Sequence, residues 1–179
     1  MTNDAQLLAA WRGGDLDAGN VLIRRHARRV YRFFSTRAAA VASDLTQQTL
    51  LACVEGHDSL RADGSFRAFL FGIARRQLLM HLRGRYRADR RIAPRHPSID
   101  RISPGSKTTP TRQIARDQRR DELAAAIRRL PVDFQIAIAL TYWEQLSPAE
   151  VAEVLGVPTG TVKSRLARAR HRLRAEIEA

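Results

Sequence analysis

Ser147–Arg174, SPAEVAEVLGVPTGTVKSRLARARHRLR, reads as two short helices joined by a tight turn. Ser147 is a good N-cap, Pro148 suits a first helical turn, and Glu150 stands three residues past the cap, where a capping box requires it. Val151, Ala152, Val154 and Leu155 give the first helix an apolar side, and small Ala152 permits close approach of the second. Gly156 can take the positive φ that a sharp turn demands. Thr159, after Pro158, is the expected N-cap of the second helix. At about 100° per residue, Val162, Leu166, Ala169 and Leu173 share one narrow stripe, the expected buried side. Lys163, Ser164, Ala167, Arg168, His171 and Arg174 fall opposite, with Arg165, Arg170 and Arg172 flanking the stripe. No acidic residue interrupts Thr159–Arg174. A solvated basic helix would carry the same charge. A basic helix that follows this turn suits a DNA major groove, where Arg and Lys donate to guanine edges or pair with phosphates.

The whole chain shares the bias. Its 179 residues carry 31 Lys and Arg against 18 Asp and Glu, a formal net charge of +13, which favours a polyanionic partner such as nucleic acid. No apolar run approaches the roughly 20 residues needed to span a bilayer, and the N-terminus lacks a signal-peptide pattern, so a cytoplasmic protein without membrane insertion is expected. Cys53 is the sole cysteine, which excludes an internal disulfide. Cys53 and His57 are spaced i and i+4, but no further ligand of suitable spacing accompanies them; a buried thiol and no metal or cofactor are expected.

Working back through the chain, Leu7, Leu8 and Trp11 form a first helical apolar group, with Trp11 expected in the core. Gly13-Gly14-Asp15 breaks it, and Asp17 is the expected cap of the second helix. Val21, Leu22, Ala27, Val30, Tyr31 and Phe34 make that helix amphipathic, with Arg24, Arg25, Arg28, Arg29 and Arg32 on its wetter sides. A third helix begins at Ser43 or Asp44, with Leu45, Thr49, Ala52 and Cys53 inward and Asp44, Gln47 and Gln48 outward as a polar patch. After the loop HDSLRADGS, where Asp63-Gly64 signals a turn, Ser65 can cap a fourth helix. Phe66, Phe69, Leu70, Ile73 and Met80 line one side of that helix, and Phe71, Leu78, Leu79 and Leu82 lie elsewhere, as in a helix central to a bundle. Arg67, Arg75, Arg76, Arg83 and Arg85 occupy its exposed positions; basic residues among aromatics suit single-stranded DNA, although the aromatics also suit a core. From Arg87 to about Arg116, recurring Pro, Ser, Thr and Gly end the pattern and mark a mobile linker. Periodicity resumes over 117–130, Pro131 ends that helix and opens the next, and Phe134, Ile136, Ala137, Leu140 and Trp143 are its apolar residues. The expected fold is all-α: two small helical domains, residues 1–87 and 117–179, joined by a flexible linker over 88–116.

The stretch LSPAEVAEVLGVPTGTVKSRLARARHRLR resembles region 4 of bacterial extracytoplasmic-function (ECF) sigma factors, small members of the sigma-70 family. GDLDAGNVLIRRHARRVYRFF, DLTQQTLL and FRAFLFGIARRQLLMHLR are similar to their region 2. The resemblance covers nearly all of the chain outside the linker. It implies a factor that binds core RNA polymerase, through the largest-subunit clamp helices and the flap, and lends it promoter specificity. Asp44, Gln47 and Gln48 match the region 2 residues that contact polymerase. Arg61, Asp63, Gly64, Ser65 and Phe66, with Arg75 and Arg76, match the part that melts the −10 element and captures a flipped base of the non-template strand. Thr161, Lys163, Ser164, Arg165, Ala167, Arg168 and Arg170 match the residues that read the −35 element as duplex. The family often has glutamate where Gln48 stands, phenylalanine where Leu50 stands and asparagine where Arg76 stands. It also implies an anti-sigma factor as a further partner, one that would mask the polymerase-binding surfaces.

A stand-alone turn-helix regulator is the rival reading, and it leaves the N-terminal half unexplained. No Gly-rich phosphate loop, paired catalytic carboxylates or nucleophile–base motif appears, so an enzyme is not expected.

Overall fold

Two twenty-residue basic helices, one near each end of the chain, organise the architecture. A computed structural model describes residues 3–60, 64–92 and 122–178, and all regular structure among the described residues is helical. The N-terminal unit comprises α1 (Asp4–Arg12), α2 (Leu16–Ser35), α3 (Ala42–Gly56) and α4 (Phe66–Ile92). Short 3-10 turns at Ala39–Val41 and His57–Ser59 flank α3. The C-terminal unit comprises α5, described over 122–129, then α6 (Val132–Ile138), a π-helical turn (Ala139–Trp143), α7 (Pro148–Leu155) and α8 (Thr159–Glu178).

Local signals explain most boundaries. Asn3 and Gln6 form a capping box that starts α1, and Asp15 caps α2 by accepting from the Ala18 N–H at 3.0 Å. The cap is therefore Asp15 and not Asp17, which sits inside the first turn, where its charge still suits the helix dipole. α3 begins at Ala42, one residue before the expected start. Ser65 caps α4 through a bond from the Ala68 N–H. α4 continues to Ile92, past the point where apolar periodicity fades; the rest of the expected linker, 93–116, lies outside the described residues.

The buried faces differ from the periodic reading at several positions. On α2 the core side is Leu22, His26, Val30, Phe33 and Phe34, whereas Val21 and Tyr31 are exposed. His26 enters the core because Asp4 of α1 accepts from its Nε2 at 2.6 Å, which satisfies a buried polar group. On α4, Leu70, Phe71, Ala74 and Leu78 are fully buried and Met80 is exposed. The reason is geometric: α3 and α7 both pack on α4 and leave between them a groove of ≈ 600 Å³, whose walls include Phe69, Ile73 and Met80. Cys53 is fully buried, and burial pushes its thiol up to about 12, consistent with an inert core residue. His57 stacks on the Trp11 ring at 4.1 Å. Trp11 also rests on Gly19, where a Cβ would stand 2.7 Å from ring atoms.

The two units touch. α4 packs against α7, and the buried apolar residues of both units form one continuous core.

Candidate nucleic-acid interface

The turn between α7 and α8 is built as its sequence dictates. The Ser147 hydroxyl accepts from the Glu150 N–H, and the Glu150 carboxylate accepts from the Ser147 N–H at 2.7 Å. Gly156 adopts φ 65 and ψ 40, and its N–H reaches the Ala152 and Glu153 carbonyls. A left-handed residue at this point lets the chain reverse without strain, and a side chain would oppose it. α8 then starts at Thr159 itself, because the Pro158 carbonyl accepts from the N–H groups of Thr161 and Val162. Thr159 is thus a first-turn residue and not the N-cap. Val162, Leu166 and Ala169 are buried against α7 and α6, and Leu173 is half-buried.

This packing turns one face of α8 outward. Lys163, Ala167, Arg168, Arg170, His171 and Arg174 are exposed. Ser164 is half-buried; its hydroxyl donates to the Thr161 carbonyl and accepts from Arg168 at 3.4 Å, so it steers that guanidinium. Thr161 is half-buried at the start of the same face. Among the described residues, Lys163, Arg168 and Arg170 meet no carboxylate, which leaves their charge available to an anionic ligand. Arg165 and Arg172 lie on the flank facing α6. Arg165 pairs with Asp133 at 3.5 Å, and Arg172 lies over the Phe134 ring at 5.4 Å. Of the four cations expected on duplex DNA, Arg165 is therefore the one paired with a carboxylate among the described residues.

The second candidate region is the start of α4. Arg61 and Asp63 lie outside the described residues. Gly64 and Ser65 are half-buried, and Phe66 is buried against the His26 ring. Ser65 donates to Glu150 of α7. Arg67 donates to the Glu144 carbonyl at 3.1 Å and lies 3.7 Å from the Glu150 carboxylate. Burial raises the Glu150 carboxyl, but the bonds from Ser65 and Ser147 and the Arg67 charge outweigh it and hold the group below the usual glutamate value. Arg75 and Arg76 line the groove between α3, α4 and α7; Arg76 is exposed, and Arg75 is half-buried with no partner for its Nε among the described residues.

Asp44, Gln47 and Gln48 are all exposed on the outer face of α3. The same face continues through Leu51 and Val54, which are 57% and 44% exposed. Periodicity had no means of marking these two, because an apolar residue on a helix is by default a core residue. Only the spacing of Leu51 from Gln47 and Gln48, at four and three residues, and of Val54 from Leu51, at three, could have pointed outward.

Comparison with known proteins gives the same division. Residues 22–88 match sigma-70 region 2 and residues 120–173 match sigma-70 region 4. The ECF RNA polymerase sigma factor SigM of Mycobacterium tuberculosis is 34% identical over 175 residues, 96% of this chain and 83% of that protein. The RNA polymerase sigma-H factor of Pseudomonas aeruginosa is 29% identical over 93% of this chain and 90% of its own length. Among solved structures, the sigma factor RpoE of Bartonella quintana, in complex with the anti-sigma factor NepR, superposes with a TM-score of 0.71 at 24% identity, covering 92% of this chain and 98% of that one. That last likeness is one of fold.

Proposed function

We infer how this chain works from the premise that it belongs to the sigma-70 family, as an ECF sigma factor. Such a factor binds core RNA polymerase and directs promoter-specific initiation. The residue roles are our reading. α8 enters the major groove of the −35 element with Lys163, Ser164, Ala167 and Arg168 toward base edges, and Thr161 and Arg170 toward the backbone. The observation that carries this is the unpaired cationic face that the Gly156 turn presents. Arg165 contributes by holding α8 on α6 through Asp133, and it reaches phosphate only if that pair opens.

Asp44, Gln47 and Gln48 contact the clamp helices of the largest polymerase subunit. Exposed Leu51 and Val54 extend that face with apolar area, of the kind that is buried when a partner docks. Gly64, Ser65 and Phe66, with Arg61, Asp63, Arg75 and Arg76, serve −10 recognition and strand capture. Separating strands costs about 1.4 kcal/mol per base-pair step of stacking, so capture must share its energy with the polymerase contacts. The domain division that serves these roles is 1–87 and 117–179, with 88–116 between them. The protein acts in the cytoplasm, where polymerase works, and contributes binding and strand capture without catalysing bond formation. An anti-sigma factor covering the α3 face would compete with core polymerase. A stand-alone regulator would give residues 22–88 no role.

Run-off transcription with purified core polymerase on a genomic promoter library tests the reading. Initiation confined to promoters that share −35 and −10 elements is expected. Duplex binding without any core-dependent initiation would overturn it.

A further inference from the structure

One short helix holds both described ends of the loop that leads into α4. α1 spans nine residues, and Asp4 and Trp11 stand seven positions apart on it, two turns along one face. Trp11 takes the end nearest α3. Its ring stacks on that of His57, with centroids 4.1 Å apart and an interplanar angle of 8°. The Val54 carbonyl accepts from His57 Nδ1 at 2.7 Å, which fixes the imidazole, and the His57 carbonyl accepts from the Leu60 N–H as the chain leaves the turn. Asp4 takes the other end. Its carboxylate accepts from His26 Nε2 at 2.6 Å, and the His26 ring lies 5.5 Å from that of Phe66, the first residue of α4. Arg25 donates to the other oxygen of Asp4 at 2.7 Å, so the carboxylate is held from two sides.

α1 is itself firmly placed. A capping box starts it, and Leu7 and Leu8 are buried. Glycine weakens a helix interior, and at Gly19 of α2 the missing side chain makes room for Trp11. Either ring contact alone would serve packing. Together they tie one loop at both ends to one rigid element, and that element lies outside residues 22–88, the part that matches region 2. We propose that α1 is a positioning element for −10 strand capture: Trp11 through His57, and Asp4 through His26, set where Leu60 and Phe66 stand and so fix the spacing at which the strand is met. Trp11 and His26 are buried and act through these neighbours, not on the strand. The proposal rests on the reading of this loop and the start of α4 as the strand-capture part.

The test uses the full chain with core polymerase, on a promoter carrying 2-aminopurine in the non-template −10 strand, whose fluorescence rises when a base leaves the stack. His57→Ala removes the ring stacked on Trp11 at a turn where the side chain is 19% exposed. It should slow the fluorescence rise by about fivefold, the scale of one aromatic contact. His57→Phe, which restores a flat ring, should recover the native rate. Affinity for a −35 duplex, read by anisotropy, should stay native in both. Asp4→Asn should also slow opening, and together with His57→Ala it should do so more than either alone, because both ends are then released. Native opening in His57→Ala and Asp4→Asn overturns the role of α1. Slow opening in His57→Phe overturns the ring contact as its means, and a joint loss of opening and −35 affinity overturns positioning in favour of a general loss of fold. Failure of the underlying reading registers differently: the native chain itself would then give no core-dependent fluorescence rise.

Discussion

α2 and α8 are both twenty residues long and both rich in arginine, yet they do opposite things. α2 buries seven residues, including His26, and commits Arg25 to Asp4 and Arg32 to Glu144. α8 buries the thin seam of Val162, Leu166 and Ala169 and leaves Lys163, Arg168 and Arg170 without a carboxylate among the described residues. The cations are chemically the same; what differs is where the acids are. Among the described residues, carboxylates meet α2 from α1 and from the loop before α7, and α8 from Asp133 on its α6 flank. A basic helix reads DNA when the fold withholds its counter-charges and becomes scaffold when the fold supplies them.

The contrast breaks most sharply at Gly19. In Gly19→Ala a methyl would meet the Trp11 ring, which is buried and stacked on His57. A loss of about 3 kcal/mol of stability is expected, at the upper end for overpacking. Urea unfolding measures it, and an unchanged midpoint would mean that α1 is not seated on α2 as described. Because α8 packs on α6 and α7, away from the α1–α2 contact, its duplex binding should outlast that loss.

Arg168→Ala probes the other helix. Loss of a base-edge contact should cost about 1–3 kcal/mol of discrimination at one −35 position while core binding persists. Transcription from promoters substituted at single −35 bases reads this out; equal loss on all of them would make Arg168 a phosphate contact. Asp44→Ala, on the exposed face of α3, should weaken association with core polymerase by about 1 kcal/mol, as expected for a rim charge, and Leu51→Ser should do so as well. Titration with labelled core checks both, and unchanged affinity would remove the α3 face from the polymerase contact.

The smallest effect concerns acid stability. Burial lowers the His26 imidazole below its ordinary value of 6.5; Asp4 opposes this, and Arg29 and Arg67 add to it. Above pH 6.5 neither the folded nor the unfolded chain holds a proton there, and stability is complete. As pH falls below 6.5, the unfolded chain takes up a proton that the folded chain refuses, so stability declines, at most by about 1.4 kcal/mol per pH unit for one proton. Asp4, held below its usual 3.8 by Arg25 and His26 despite burial, adds its own loss only at more acid pH. Thermal unfolding of His26→Gln should show a flatter decline just below pH 6.5, and an identical decline would show that His26 is not the group responsible.

The sequence by itself determined the turn-helix unit, the Ser147–Glu150 capping box, the left-handed Gly156, the buried stripe of α8 and the outward patch on α3. It could do so because helix periodicity, caps and turns depend on residues within about four positions of one another. Only the tertiary structure decided which apolar residues are used where helices cross. Met80, Val21 and Tyr31 carry the periodic signal and still face outward, because the neighbouring helices do not extend over them. Likewise His26 passes for a polar surface residue until Asp4 is brought to it across 22 positions. The same holds for charge: Arg32 finds Glu144 from 112 positions away and Ser65 finds Glu150 from 85. No local pattern encodes such pairs, because a carboxylate's partner is chosen by the packing that brings it near. That packing sets which of this chain's many cations remain free for DNA.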